Sequence, residues 1–174
     1  MLEIKPIEEK DVYHLWKIGF SKADMEWTKW NGPYFEDYEV YTFETFQKEL
    51  SFYKNTDYCW GIYVDDTLIG ALFRHWEYQK TRWLEIGIVI YDENYWNGGY
   101  GTEALRLWIP KTFKDFPEIE HIGLTTWSGN KRMMRASEKL GLLQEACIRK
   151  VRYWQGVYYD SVKYGVLRDE WDTI

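Results

Sequence analysis

The sequence predicts a single mixed α+β domain, with about seven strands in a mostly antiparallel twisted sheet and about four flanking helices. Three observations carry this. Three short apolar runs in the middle of the chain are separated by turn residues, as in linked hairpins; stretches before and after them repeat apolar residues at helical spacing; and a cluster of glycines joins a strand directly to a helix. The chain has 174 residues, 45% of them hydrophobic, which suits one core spanning residues 1–174 better than two small ones.

The elements follow in order. "LEIKPI" alternates like a short strand, and in "EEKDVYHLWKIGFS" Val12, Leu15, Trp16 and Phe20 fall near helical spacing. From Met25 to Glu39 no steady period is seen and Asn-Gly-Pro intervenes, so a long aromatic loop is expected, a place where binding lids often sit. "TFETFQKELSFY" then sets Phe43, Phe46, Leu50 and Tyr53 three or four apart, a second helix. "YCWGIYV", "LIGALFRHW" and "WLEIGIVIYD" read as three hairpin-linked strands. After the glycines come a helix in "GTEALRLWIPKTF", a strand in "EIEHIGLTTW", a helix in "NKRMMRASEKLG" closed by Gly141, and a last hairpin turning about Gly156. Pro110 lies inside the first of these helices, where it removes one backbone bond at about 3 kcal/mol, and a kink is expected.

Composition narrows the partners. A formal net charge of −6 argues against a nucleic-acid or anionic-membrane surface and leans towards cationic partners such as amines. Aromatic residues make up 20%, including 11 Trp and 15 Tyr, so a cleft should be lined by large rings with polar tips. Cys59 and Cys147 have apolar or aromatic neighbours and read as buried thiols in a reducing compartment. The amino terminus is charged within three residues, and no apolar run approaches the roughly 18 residues of a membrane span; neither signal peptide nor anchor is expected, and the expected location is the cytoplasm.

The stretch "NYWNGGYGTEAL" holds the strongest signal. A strand that runs into a glycine-rich turn and a helix aims backbone N–H groups and the positive end of a helix dipole at one point, a site for an anion such as phosphate. The spacing matches neither the dinucleotide Gly-x-Gly-x-x-Gly turn nor a Gly-Lys-Ser/Thr loop, and on spacing alone a tight turn without ligand is the alternative.

Taken with the strand "WLEIGIVIYDE" before it, "WNGGYGTEAL" resembles the pyrophosphate loop of the GNAT superfamily of acetyl-CoA-dependent N-acetyltransferases, patterned Gln/Arg-x-x-Gly-x-Gly/Ala. Gly99 and Gly101 fill the small positions, and Trp96 stands in place of Gln or Arg. "LTTWSGNKRMMRASEKLGL" resembles the superfamily's strand and cofactor-flanking helix, opened here by Asn130, and "GVYYDSVKYGVLRDEW" is similar to the closing hairpin of the branch containing the ribosomal-protein alanine N-acetyltransferases (RimJ- and RimL-like) and the spermidine acetyltransferases. The resemblance implies the GNAT fold and transfer of an acetyl group from acetyl-CoA to a primary amine by direct attack, with no metal. The acceptor would be a protein amino terminus or a small cationic amine such as a polyamine. A regulatory module that binds acyl-CoA without turnover is the other reading.

The resemblance also assigns residues. Backbone groups of Trp96, Asn97, Gly98, Gly99, Tyr100, Gly101 and Thr102 would hold the pyrophosphate, and Ile88, Val89 and Ile90 would pair with the pantetheine arm. Asn130 would face the cofactor or only cap its helix. Ser137, seven residues on, about 10 Å and two turns along the same face, would protonate the departing thiolate or only fill a packing site. Glu85, eleven residues before Trp96, takes the place of the base in histone-acetylating members, directly or through water. Trp27, Trp30, Tyr34 and Phe35, with Glu26, Glu36 and Asp37, would cover the acceptor or pin their loop to the core. Arg132 and Arg135 could reach phosphates, and "VRYW" and "VYYD" could expose aromatic surface for a homodimer.

Overall fold

The computed structural model describes residues 1–35 and 38–174; Glu36, Asp37 and the side chain of Phe35 lie outside the described residues. The chain runs β1 (Leu2–Lys5), α1 (Val12–Gly19), α2 (Glu26–Asn31), α3 (Phe43–Lys48), β2 (Cys59–Val64), β3 (Thr67–Tyr78), β4 (Trp83–Ile90), α4 (Tyr100–Asp115), β5 (His121–Trp127), α5 (Lys131–Lys139), β6 (Leu143–Trp154), β7 (Val157–Leu167) and α6 (Arg168–Trp171), with short 3-10 turns between. This is the expected order with two corrections: a short α6 of four residues follows β7, where the last element expected is the hairpin, and the second lies near the start. Part of the Met25–Glu39 stretch is not loop but α2 followed by a 3-10 turn over Gly32–Phe35, and six helical residues are too few for a period to show in the sequence.

The strands form one sheet in the order β1-β2-β3-β4-β5-β7-β6, and only the β4–β5 pairing is parallel. Alternation along the strands sends side chains to two separate cores. Leu84, Ile86, Leu124 and Val162 pack with Leu105, Trp108 and Ile109 of α4; Tyr63, Ala71 and Tyr91 pack with Leu15 of α1, Trp27 of α2 and Phe46 of α3. Helix α4 is assigned unbroken through Pro110, an exposed residue whose ring faces water, as does Arg106, whose carbonyl the proline leaves without its helical donor. Inside, Arg74 is only 1% exposed. Its guanidinium lies 3.9 Å from the Trp108 ring centroid and donates to Asp115 Oδ2 at 2.7 Å and Asp57 O at 3.1 Å, tying β3 to both ends of its surroundings.

Helix α5 ends as its sequence requires. The N–H of Leu142 reaches Ser137 O and that of Gly141 reaches Glu138 O, with Gly141 at φ +77°, the paired bonds of a Schellman motif. The closing hairpin turns at Gln155 and Gly156, both left-handed. Strand β6 is the sheet edge, and its ladder slips between Ile148 and Arg152, where Lys150 adopts φ +56° and its N–H donates to Asp160 Oδ1 at 2.9 Å. Tyr153 and Tyr158 are exposed on this hairpin and contact each other at 4.9 Å.

One ring locks three regions together. Trp127, at the end of β5, is buried, donates Nε1–H to Trp30 O of α2 at 2.7 Å, and meets Trp154 and Tyr159 of the hairpin edge-on. Its ring fits because two close neighbours have no side chain: a Cβ at Gly32 would fall 2.4 Å from it and one at Gly129 2.0 Å. We expect Gly129→Ala to force this ring out of place and cost about 1–3 kcal/mol. Thermal denaturation should register a loss of about 2–4 °C per kcal/mol, and an unchanged Tm would refute the packing argument.

Candidate functional site

The site begins with a ladder that stops. β4 and β5 pair only at Leu84↔Ile122 and Glu85↔Gly123, so from Ile86 to Ile90 the β5-facing edge of β4 has no strand partner. Two parallel strands that diverge leave a wedge with unused backbone groups along one wall. Ile88, Val89 and Ile90 line a cavity of about 300 Å³ that fills this wedge, together with residues of the glycine loop, the start of α4, α5 and α2.

The glycine loop leaves its backbone donors open. Asn97 (φ +62°) and Gly99 (φ +82°) are both left-handed, which turns successive N–H groups towards a common side. The N–H groups from Asn97 to Thr102 have no hydrogen-bond partner among the described residues, whereas Glu103 N already closes the first turn of α4 onto Gly99 O. A Cβ at Gly99 would meet nothing within 4 Å, so the space beside this backbone is open to a ligand. Trp96 departs from expectation. Its N–H is spent on Glu93 O at 3.1 Å and its indole N–H on Ile90 O at 2.9 Å, so Trp96 offers the cavity a ring and no donor.

Helix α5 supplies the opposite wall. Asn130 Oδ1 caps the helix by accepting from Met133 N at 3.1 Å, and the residue also lines the cavity. Ser137 takes the packing place of its two alternatives. It is fully buried, its hydroxyl donates to Met133 O at 2.9 Å, and the cavity wall is made instead by Met133 and Ala136. Asn130 is the cap, with non-helical φ −89° and ψ 73°, so counting helical turns from it does not place Ser137. Arg132, Arg135 and Lys139 also line the cavity, which has no carboxylate in its described wall, in a chain of net charge −6. Burial lowers the pKa of Arg132, whose guanidinium lies 4.1 Å from the Trp30 ring and 4.5 Å from the Trp96 ring.

The aromatic residues before α3 divide. Trp27 is 2% exposed and donates Nε1–H to Gly19 O at 2.7 Å, so it pins α2 to the core while one edge reaches the cavity; Trp30 faces the cavity. Tyr34 is 42% exposed and accepts from Arg152 Nε at 3.0 Å. With Tyr38, Tyr41, Phe52, Tyr53, Glu39 and Glu49 it lines a second cavity of about 360 Å³.

Glu85 sits on the last rung before β4 and β5 part, on the face that carries α1 to α3, and it is not part of this cavity's wall. It is 3% exposed and accepts from Thr125 Oγ1 at 2.8 and 3.0 Å, with Lys163 Nζ at 3.3 Å. His75 Nε2 lies 3.8 Å from its other oxygen. His75, Glu77 and Glu85 thus place three possible metal ligands within 4.8 Å of one another, but Lys163 already puts a positive charge against Glu85. The cysteine reading is half corrected. Cys59 is buried, which pushes its thiol up to about 12, but Cys147 is exposed on edge strand β6, where partial desolvation and Asp160 raise its pKa. Neither is an activated nucleophile.

Known proteins share this architecture. The structure superposes on an acetyltransferase of the GNAT family from Bacillus anthracis with a TM-score of 0.74 at 24% identity, covering 97% of this chain and 96% of that one. It superposes on the spermidine N-acetyltransferase of Vibrio cholerae, solved in complex with CoA and spermine, with a TM-score of 0.76 at 14% identity, covering 98% and 97%. In sequence it is 30% identical over 112 residues to YdaF of Bacillus subtilis (strain 168), named as a candidate ribosomal N-acetyltransferase. That match spans 64% of this chain and 60% of the relative's length. No helix among the described residues is long and apolar enough to cross a membrane. The model of the acetyltransferase (GNAT) domain matches residues 1–143, and with the splayed parallel pair, the glycine loop and the capped α5 already in place, the chain belongs to the GNAT acetyltransferase family.

Proposed function

We propose that the protein transfers an acetyl group from acetyl-CoA to a primary amine. The observation that carries this reading is the cavity between β4, the glycine loop and α5: open N–H donors, three cations and no carboxylate in its described wall, beside an unpaired strand edge. That is the chemistry of a site for a phosphate-bearing ligand with an amide-rich arm. Bound there, acetyl-CoA supplies the activated thioester carbonyl. The N–H groups from Asn97 to Thr102 and the N-terminal end of α4 hold its pyrophosphate, and the free edge of Ile88, Val89 and Ile90 pairs with its arm and donates to the acetyl oxygen, where negative charge develops.

The amine forms a C–N bond to the acetyl carbonyl, the C–S bond breaks, and coenzyme A leaves as a thiolate that takes a proton from solvent. Glu85 takes the proton that the attacking amine sheds, directly or through water. Its place at the vertex of the wedge, on the face opposite α4 and α5, supports this role, and Thr125 and Lys163 fix its carboxylate. Ser137 is left out of the mechanism because its hydroxyl is committed to its own helix. The acceptor is a cationic amine. Glu39 and Glu49 among the rings of the second cavity favour an ammonium over a neutral group, and a small polyamine or a protein amino terminus meets that demand. Association through Tyr153 and Tyr158 of the hairpin would make the protein a homodimer in the cytoplasm.

Calorimetric titration with acetyl-CoA tests the site. Micromolar binding is expected, weakened at least about tenfold in Gly99→Trp, which also forces a side chain into a left-handed position at about 1–2 kcal/mol. No binding by the unmodified protein would sink the proposal. Glu85→Gln should lower kcat/KM for the amine by about 10²–10⁴ while leaving acetyl-CoA affinity unchanged. A protein that binds acetyl-CoA but turns over no amine in a broad acceptor screen is a regulatory module instead.

A further inference from the structure

The guanidinium of Arg132 is held in an unusual seat. It lies over the ring of Trp30 from α2 and the ring of Trp96 from the glycine loop, in the corner these two make where they meet edge-on at 6.3 Å, and it is only partly exposed. No carboxylate among the described residues pairs with it. Two aromatic faces fix a guanidinium through cation–π attraction without neutralising it, so its N–H donors stay available at full charge. Trp96 contributes no donor of its own, because both of its N–H groups are bonded to the protein. The loop therefore provides main-chain donors and a shelf, while the side-chain charge nearest that shelf arrives from α5.

We infer that Arg132, seated in the corner of Trp30 and Trp96, is the side-chain clamp for the ligand's phosphates. This rests on the acetyl-CoA reading above and goes further, by choosing one cation of the three and explaining why a tryptophan occupies the head of the loop. Arg135 and Lys139 lie at the cavity too, but both are exposed and no ring among the described residues lies over either, so they act as mobile surface charges. Arg132 is oriented in advance and loses little freedom when a phosphate arrives. A bidentate approach to two phosphate oxygens is the geometry its planar fork favours. The same seat joins α2, the loop and α5 at one group, so the clamp also ties an element of the acceptor side to the cofactor side.

The test compares acetyl-CoA with S-acetyl-pantetheine, which carries the same thioester and arm without any phosphate. Arg132→Ala should weaken acetyl-CoA binding at least about tenfold and leave acetyl-pantetheine unchanged, which also shows that the variant is folded. Placing a guanidinium on the loop itself, as Trp96→Arg in the Arg132→Ala background, should restore acetyl-CoA binding to within about threefold. Equal weakening of both ligands, or no weakening of acetyl-CoA, overturns the clamp while the acetyltransferase reading stands. Failure of the unmodified protein to bind acetyl-CoA overturns both.

Discussion

Everything at the site depends on β4 and β5 ceasing to pair after two rungs. A continued parallel ladder would close the wedge, satisfy the edge of Ile86 to Ile90 with backbone from β5, and leave the glycine loop facing a finished sheet. The early end instead leaves one strand edge free, aims α4 at the opening and lets α5 form the other wall. It also leaves Glu85 on the final rung, where Gly123 opposite makes room; a Cβ there would stand 3.3 Å from the Glu85 side chain. The cofactor face and the acid face of the wedge thus share a single origin.

Much of this could be read in the sequence because it depends on backbone. The glycines of the loop declare left-handed and close-approach positions, and Asn130 and Gly141 declare the two ends of α5 through capping chemistry. What could not be read depends on which way a side chain faces. Ser137 stays open between two roles in the sequence because its spacing is counted from Asn130, a cap residue that is not helical. Cys147 fails because an edge strand whose two faces both meet solvent makes apolar neighbours uninformative about burial. Arg74 sits in a run that reads as an ordinary strand, yet it is buried under Trp108, and no local pattern announces a charge whose partners, Asp57 and Asp115, lie far along the chain. The clamp seat is hidden in the same way, since Trp30, Trp96 and Arg132 come from three separate elements.

The abundance of tryptophan has a common use. Trp16, Trp27, Trp96, Trp108 and Trp127 each donate an indole N–H to a backbone carbonyl outside regular pairing with that residue, at Tyr41, Gly19, Ile90, Phe73 and Trp30 respectively. Each ring buries apolar area while its one polar atom finds a backbone carbonyl to bond. Three of these carbonyls, at Gly19, Trp30 and Tyr41, belong to the stretch from the end of α1 to the start of α3, so Trp16 and Trp27 tie its helical segments to one another and Trp127 ties it to the sheet.

The slipped register of β6 has a consequence for how this molecule can meet another. A twelve-residue edge strand with exposed apolar side chains is a ready template for a further strand. The left-handed Lys150 breaks that template in its middle and turns its N–H inward to Asp160, so no straight run of outward-facing amides spans the edge. Strand-by-strand growth into fibres is thereby obstructed, while the aromatic face of the hairpin stays free to dock side chain against side chain.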